Sequence, residues 1–244
     1  MTSWKPWKIA RKELKVIRRK KSIILYTILF PFLASILFSL VVKNDIATPG
    51  GIPSTYQLGL ESLTYFYVVM AAVLPSSIAA YSIVGEKVEK SLEPLLATPT
   101  SDGDILLGKS IAAFVLPILA IWAGAAIFMA ITDSLTHHLL SFYYFPNWDS
   151  GIMLFLLAPL AAILSIEVGI IVSSRVNDVR GANQVSGLMW IPFIGIFIAA
   201  LEGIISFSID ILLTIIIIVM IFDAALFFIS KSTFNREEIL TKWK

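Results

Sequence analysis

Apolar runs free of Lys and Arg cover residues 23–42, 62–84, 110–132, 151–173, 185–204 and 209–230. Each is near the roughly 20 residues that a helix needs to cross a bilayer core of about 30 Å. The pattern predicts an all-α integral membrane protein with six transmembrane helices. Basic residues in the connections alternate in density. Lys5, Lys8, Arg11, Lys12, Lys15, Arg18, Arg19, Lys20 and Lys21 precede the first run, and Lys87, Lys90 and Lys109 follow the second. Arg175 and Arg180 follow the fourth, and Lys231, Arg236, Lys242 and Lys244 follow the sixth. The other connections contain Lys43 alone. By the positive-inside rule, both termini and the loop 85–109 are expected in the cytoplasm.

The basic opening segment, residues 1–22, sets Trp4, Trp7, Ile9, Leu14 and Ile17 among its charges. That mixture predicts an amphipathic interfacial helix on an anionic lipid leaflet, and it favours membrane lipids over nucleic acid as the partner. A basic start before an apolar run also resembles a signal peptide. The run 23–42 is longer than the usual signal core, so retention is expected. The expected organisation is an interfacial helix at 1–22, a membrane domain at 23–230 with a cytoplasmic loop at 85–109, and a tail at 231–244, all in the cell membrane.

Composition agrees: 57% of the 244 residues are hydrophobic and 15% charged, and the mean hydropathy is +0.85. Six spans leave no room for a separate soluble domain. The absence of cysteine excludes disulfides, thiolate metal sites and cysteine nucleophiles within this chain. Small residues recur every four positions at Ala72, Ser76 and Ala80, at Ala161, Ser165, Gly169 and Ser173, and at Gly195, Ala199 and Gly203. Each stripe is a candidate helix contact, within the bundle or across a dimer. Pro31, Pro75, Pro117, Pro159 and Pro192 place a helix breaker in five spans, which suits a packed bundle that changes shape.

The loop 85–109 carries the clearest functional signal. Glu86, Glu89 and Glu93 alternate with Lys87 and Lys90, while Leu92, Leu95 and Leu96 share helical spacing. A short amphipathic helix ending near Thr98 and Pro99 is expected, with its apolar face docked on a protein partner or resting on the membrane.

The stretch EKVEKSLEPLLATP at 86–99, followed by ILLGK at 105–109, resembles the inner loop of type-two ABC export permeases. In that family an acidic and basic pair, Gly-Thr-Leu-Glu, a Leu pair and Thr-Pro precede Leu-Gly-Lys. Lys90 stands where the family usually has Gly. The segments SSRVNDVRGANQ at 173–184 and FNREEIL at 234–240 are similar to the family's loop before the fifth span and to its tail. The resemblance implies a permease subunit of an ATP-driven exporter, paired with a second copy or a related permease. A separate ABC nucleotide-binding subunit would hold ATP and Mg²⁺. It also implies that Glu86, Glu89, Leu92, Glu93, Leu95 and Leu96 form the coupling contact with that ATPase, with the basic amino-terminal helix alongside.

Residues 103–110, GDILLGKS, formally match a phosphate-binding P-loop. A working P-loop follows a buried strand and opens a soluble helix, whereas this one opens a membrane span, so Lys109 is expected at the lipid headgroups. Glu167 and Asp223 stand within apolar runs, each eight residues before a basic boundary residue, Arg175 and Lys231. Both are therefore about 12 Å inside that boundary. A carboxylate there costs on the order of 3 kcal/mol. Two readings stay open: a translocation path for ion or substrate, or structural carboxyls.

His137, His138, Asp133 and Asp149 are a weak metal set, and no metal is expected. Tyr143, Tyr144 and Trp148 suggest an outer aromatic belt, and Trp4, Trp7 and Trp243 an inner one. No catalytic constellation is apparent. The rival readings are an intramembrane lipid-modifying or proteolytic enzyme and a non-transporting scaffold or sensor.

Overall fold

The computed structural model describes residues 5–46, 53–88, 100–140, 143–176 and 178–233. Among these residues every regular element is helical. Helix α1 spans Lys5–Arg19, α2 Lys21–Ile46, α3 Pro53–Val88, α4 Asp102–Leu140 and α5 Trp148–Ile152. A π turn, Met153–Leu157, joins α5 to α6 (Ala158–Arg175), followed by α7 (Val179–Gly187), α8 (Trp190–Leu201) and α9 (Ile209–Thr233). Six stretches are long and apolar enough to cross a membrane: Lys21–Lys43, Gln57–Glu86, Gly103–His137, Trp148–Arg175, Val179–Leu201 and Ile209–Ile229. They coincide with the six apolar runs.

Helix α3 is the buried axis. Ser76 and Ala80 on α3 lie against Gly169 on α6, and the contact is close. A Cβ on Gly169 would lie 2.7 Å from the Ala79 Cβ and 3.2 Å from the Ser76 carbonyl oxygen. One turn on, Ser173 Oγ accepts from the backbone N–H groups of Ile83 (3.1 Å) and Val84 (3.0 Å). Two stripes thus interlock, as expected where close packing replaces the hydrophobic effect. The third does not join them. Gly195 has nothing within 4 Å of its would-be Cβ, and Gly203 lies beyond the end of α8 at φ +71°, where a residue without Cβ ends the helix.

Pro159 and Pro192 act through the carbonyls they leave unpaired. In the fourth span, Ala158 donates its N–H to the Met153 carbonyl, five residues back. In that register the Leu154 carbonyl would bond to residue 159, which is proline. The Trp122 indole donates to Leu154 O instead, at 2.8 Å, so a side chain of α4 fills the place of the missing amide. In the fifth span the expected continuous run 185–204 is broken at Leu188 and Met189. Pro192 cannot donate to the Leu188 carbonyl, and Ile191 N–H takes it at 3.2 Å, which tightens the chain after Gly187. In the first span Ser35 Oγ lies 2.7 Å from the carbonyl oxygens of both Pro31 and Gly124 and 2.8 Å from the Tyr67 hydroxyl. Gly124 permits that approach, since a Cβ there would lie 2.8 Å from the Pro31 Cβ.

Helix α1 packs against the bundle. Its residues Ile9, Ala10 and Ile17 are buried in one cluster with Ile78, Ile83, Ile105 and Ala112. A Cβ on Gly108 would lie 2.6 Å from the Ile9 Cβ, so α1 and α4 nearly touch backbones. Lys8, Arg11, Lys15, Arg18 and Arg19 remain exposed.

Candidate functional site

Helix α1 meets the end of α3 and the start of α4 at the base of the 85–109 loop. Helix α3 runs down to Val88, and α4 starts at Asp102 with a reciprocal cap. Asp104 N–H donates to Ser101 Oγ at 3.1 Å, and Ser101 N–H to Asp104 Oδ2 at 3.4 Å, the arrangement that satisfies orphan amides at a helix start. The letters that formally match a P-loop are thus the first turns of a helix, as expected for the opening of a span. Lys109 is corrected by the structure. Its side chain is 1% exposed, and instead of reaching the headgroups it turns inward. The ammonium donates to Ser82 O at 2.8 Å and to Glu13 Oε1 at 3.4 Å, and it lies 3.2 Å from Glu86 Oε1. An ammonium has three donors, so all are used within the protein. Lys12 adds a further ion pair to Glu86 at 3.7 Å.

Lys109 thus ties α1, α3 and α4 together. A buried charge needs its partners to repay desolvation, and these come from two other helices. Of the residues assigned to the coupling contact, Glu86 takes part in this junction. Glu89, Leu92, Glu93, Leu95 and Leu96, with the expected helix at 91–97, lie outside the described residues, as do Trp4, Trp243 and the tail from Phe234. Between α1 and the ends of α3 and α4 is a cavity of about 210 Å³. Lys20 stands at its edge, with Nζ 3.4 Å from the Tyr81 ring centroid, a cation–π contact.

Glu167 on α6 and Asp223 on α9 are carried by helices that pack together. Glu167 Oε2 and both Asp223 oxygens are shielded from solvent without a hydrogen-bond partner among the described residues. No basic side chain is paired with them among the ion pairs of those residues.

At the opposite end of α3, a carboxylate that sequence reasoning passed over is built into the fold. Glu61 is 7% exposed and accepts from the Tyr144 hydroxyl at 3.1 Å and from Gln57 Nε2 at 3.3 Å. Burial first, and the Glu61 carboxylate second, push the Tyr144 phenol up, so it stays a donor. Tyr144 therefore faces inward, whereas Tyr143 and Trp148 are exposed. Asp133 Oδ1 accepts from the N–H groups of Tyr144 (3.0 Å) and Phe145 (3.1 Å), which commits it to holding this loop. The His137 ring lies against Tyr143, with centroids 4.7 Å apart. The signal for Glu61 was its spacing from Gln57 by one helical turn, which extends the second span past its apolar edge.

No curated protein matches the sequence. The profile of the ABC-2 family of transporter proteins matches residues 7–211, from α1 through the first turn of α9, and so takes in the Lys109 junction and Glu167. With a match over that length and six helices able to cross a membrane, the chain belongs to the ABC-2 transporter family, as a multi-pass membrane permease.

Proposed function

We propose that this permease is the membrane subunit of an ATP-driven exporter, moved by a separate nucleotide-binding subunit that docks on the loop 85–109 through Glu86, Glu89, Leu92, Glu93, Leu95 and Leu96. Both termini and that segment lie in the cytoplasm, and the permease works beside a second copy or a related chain. ATP and Mg²⁺ bind in the partner. The observation that carries the reading is the Lys109 junction. Its acceptors come from α1 and α3, while the lysine itself is on α4, so a force on the loop reaches three helices at once. Rigid-body movement of packed helices is the form in which such a push travels.

Leu95→Asp or Leu96→Asp tests this. An unpaired charge in a desolvated groove weakens association by about tenfold or more. The variants should insert normally yet lose copurification of the ATPase and transport. Association and transport at wild-type levels in both variants would refute the docking assignment.

A further inference from the structure

We propose that the break between α1 and α2 is a conformational switch, held in its bent form by a catch that Lys20, Tyr81 and Gly85 build together. The switch belongs to this chain alone and stands whether or not a subunit docks on the loop 85–109.

Nothing in the local sequence stops a helix at residue 20. From Ile9 to Phe30 the chain holds neither Gly nor Pro, and Arg18, Arg19, Lys20 and Lys21 follow one another, all good helix formers. Yet α1 ends at Arg19 and α2 starts at Lys21. Lys20 N–H donates only three residues back, to Ile17 O at 2.9 Å, while Lys20 O accepts from Ile23 N–H at 3.0 Å and Ile24 N–H at 3.3 Å. A break in a helix has an identifiable cause, and here the cause is tertiary.

Contacts on either side of the break bend the chain. Ile17 is buried with Ile78, and Ile23 and Ile24 pack on the same cluster. At the break itself, Lys20 Nζ stands 3.4 Å from the Tyr81 ring centroid. A cation–π contact biases an equilibrium by about twofold to thirtyfold. That is enough to choose between two forms and little enough to be reversed.

Gly85 makes the catch possible. It follows Tyr81 by one turn of α3, and the ring lies back across it: a Cβ on Gly85 would sit 2.6 Å from the ring Cζ and 2.7 Å from Cδ1. Glycine inside a helix is unfavourable, and here its missing methyl is the seat of the ring. Beside the ring is the cavity of about 210 Å³, which Ile17, Ile23 and Ile78 also line. It gives the ring an apolar place to go when it leaves Lys20. The helical ladder then runs through residue 20, α1 extends α2, and Glu13 withdraws from Lys109.

Lys15→Cys with Leu29→Cys, at two exposed positions, carries spin labels in the full chain in lipid nanodiscs, and pulsed electron resonance reads their separation. A straight helix sets these backbone sites about 21 Å apart, and a break brings them closer. The wild type and Tyr81→Phe, which keeps the ring, should show the shorter distance. Tyr81→Leu and Lys20→Met should each raise the ratio of straight to bent form about tenfold, whereas Lys20→Arg keeps the contact and the bend. Gly85→Ala should straighten the helix as well, but only through the ring, so it should add nothing in the Tyr81→Leu background. If Tyr81→Leu does not elute as a single species, the contrast of Lys20→Met with Lys20→Arg carries the test. Unchanged distances in Tyr81→Leu, or in Lys20→Met where it replaces that variant, overturn the catch. So does straightening by Tyr81→Phe, which would assign the bend to the hydroxyl, or a Gly85→Ala effect undiminished without the ring.

Discussion

Lys109 and Glu86 face each other at 3.2 Å from the two helices that lead out of and into the 89–101 segment. Neither end of that segment can shift alone without opening an ion pair that is almost entirely buried. Lys109→Met removes the cation and leaves Glu86 and Glu13 without it, Lys12 lying 3.7 Å from Glu86. Breaking a buried pair from one side costs about 3 kcal/mol, so the variant should melt well below the wild type in a detergent thermal scan. An unchanged melting curve would mean that the junction holds nothing together. The isolated chain should bind no ATP with or without Lys109.

Gly169 and Gly195 should answer differently to the same substitution. Gly169→Ala drives a methyl into the Ala79 side chain and towards the α3 backbone, and overpacking of this kind costs about 1–3 kcal/mol. Gly195→Ala meets open space and should be neutral or stabilising by up to about 1 kcal/mol. Melting temperatures of the two variants measured side by side decide this. Destabilisation by Gly195→Ala in the assembled transporter alone would place that face against a neighbouring copy.

These contrasts show what was legible in the sequence. The spans were, because a helix in lipid must be apolar along its whole length and short runs of charge mark its ends. The approach of Ser76 and Ala80 to Gly169 was legible too, since a period of four on a straight helix leaves one face for both. Lys109 was not. A lysine at a span boundary looks alike whether it points to headgroups or to protein, and its partner Glu13 lies 96 positions away. The same holds for Glu61, whose partner Tyr144 is 83 positions away. The break before Pro192 was half visible: the proline announces a freed carbonyl, but which neighbour takes it depends on the folded backbone.

Glu167→Gln and Asp223→Asn keep size and hydrogen-bonding capacity while removing charge. If the two carboxylates line a translocation path, transport by either variant should fall severalfold while assembly, followed by gel filtration, stays as in the wild type. Wild-type transport rates in both variants would leave the pair a structural role only.

Because the chain has no cysteine, single cysteines report topology without background. Cysteines at Ser101 and at either terminus should react with a membrane-impermeant maleimide only after the cells are opened. Those at His137 and Asn147 should react in intact cells. Labelling at Ser101 from outside would reverse the orientation drawn from the basic residues.

The π turn at Met153–Leu157 gives the fourth span two mechanically distinct halves. After it, α6 is clamped to α3 through Gly169 and Ser173; before it, α5 belongs to the Asn147 cap. A π turn inserts one residue into the helical count, so the two halves are out of phase, and twisting the first need not unscrew the second. The Trp122 indole is the pin of that swivel. It grips the one carbonyl that Pro159 leaves unclaimed, and it is carried by α4, the helix that leaves the Lys109 junction. Displacement starting at the loop can thus arrive near the far side of the bundle as rotation, delivered by a single side chain.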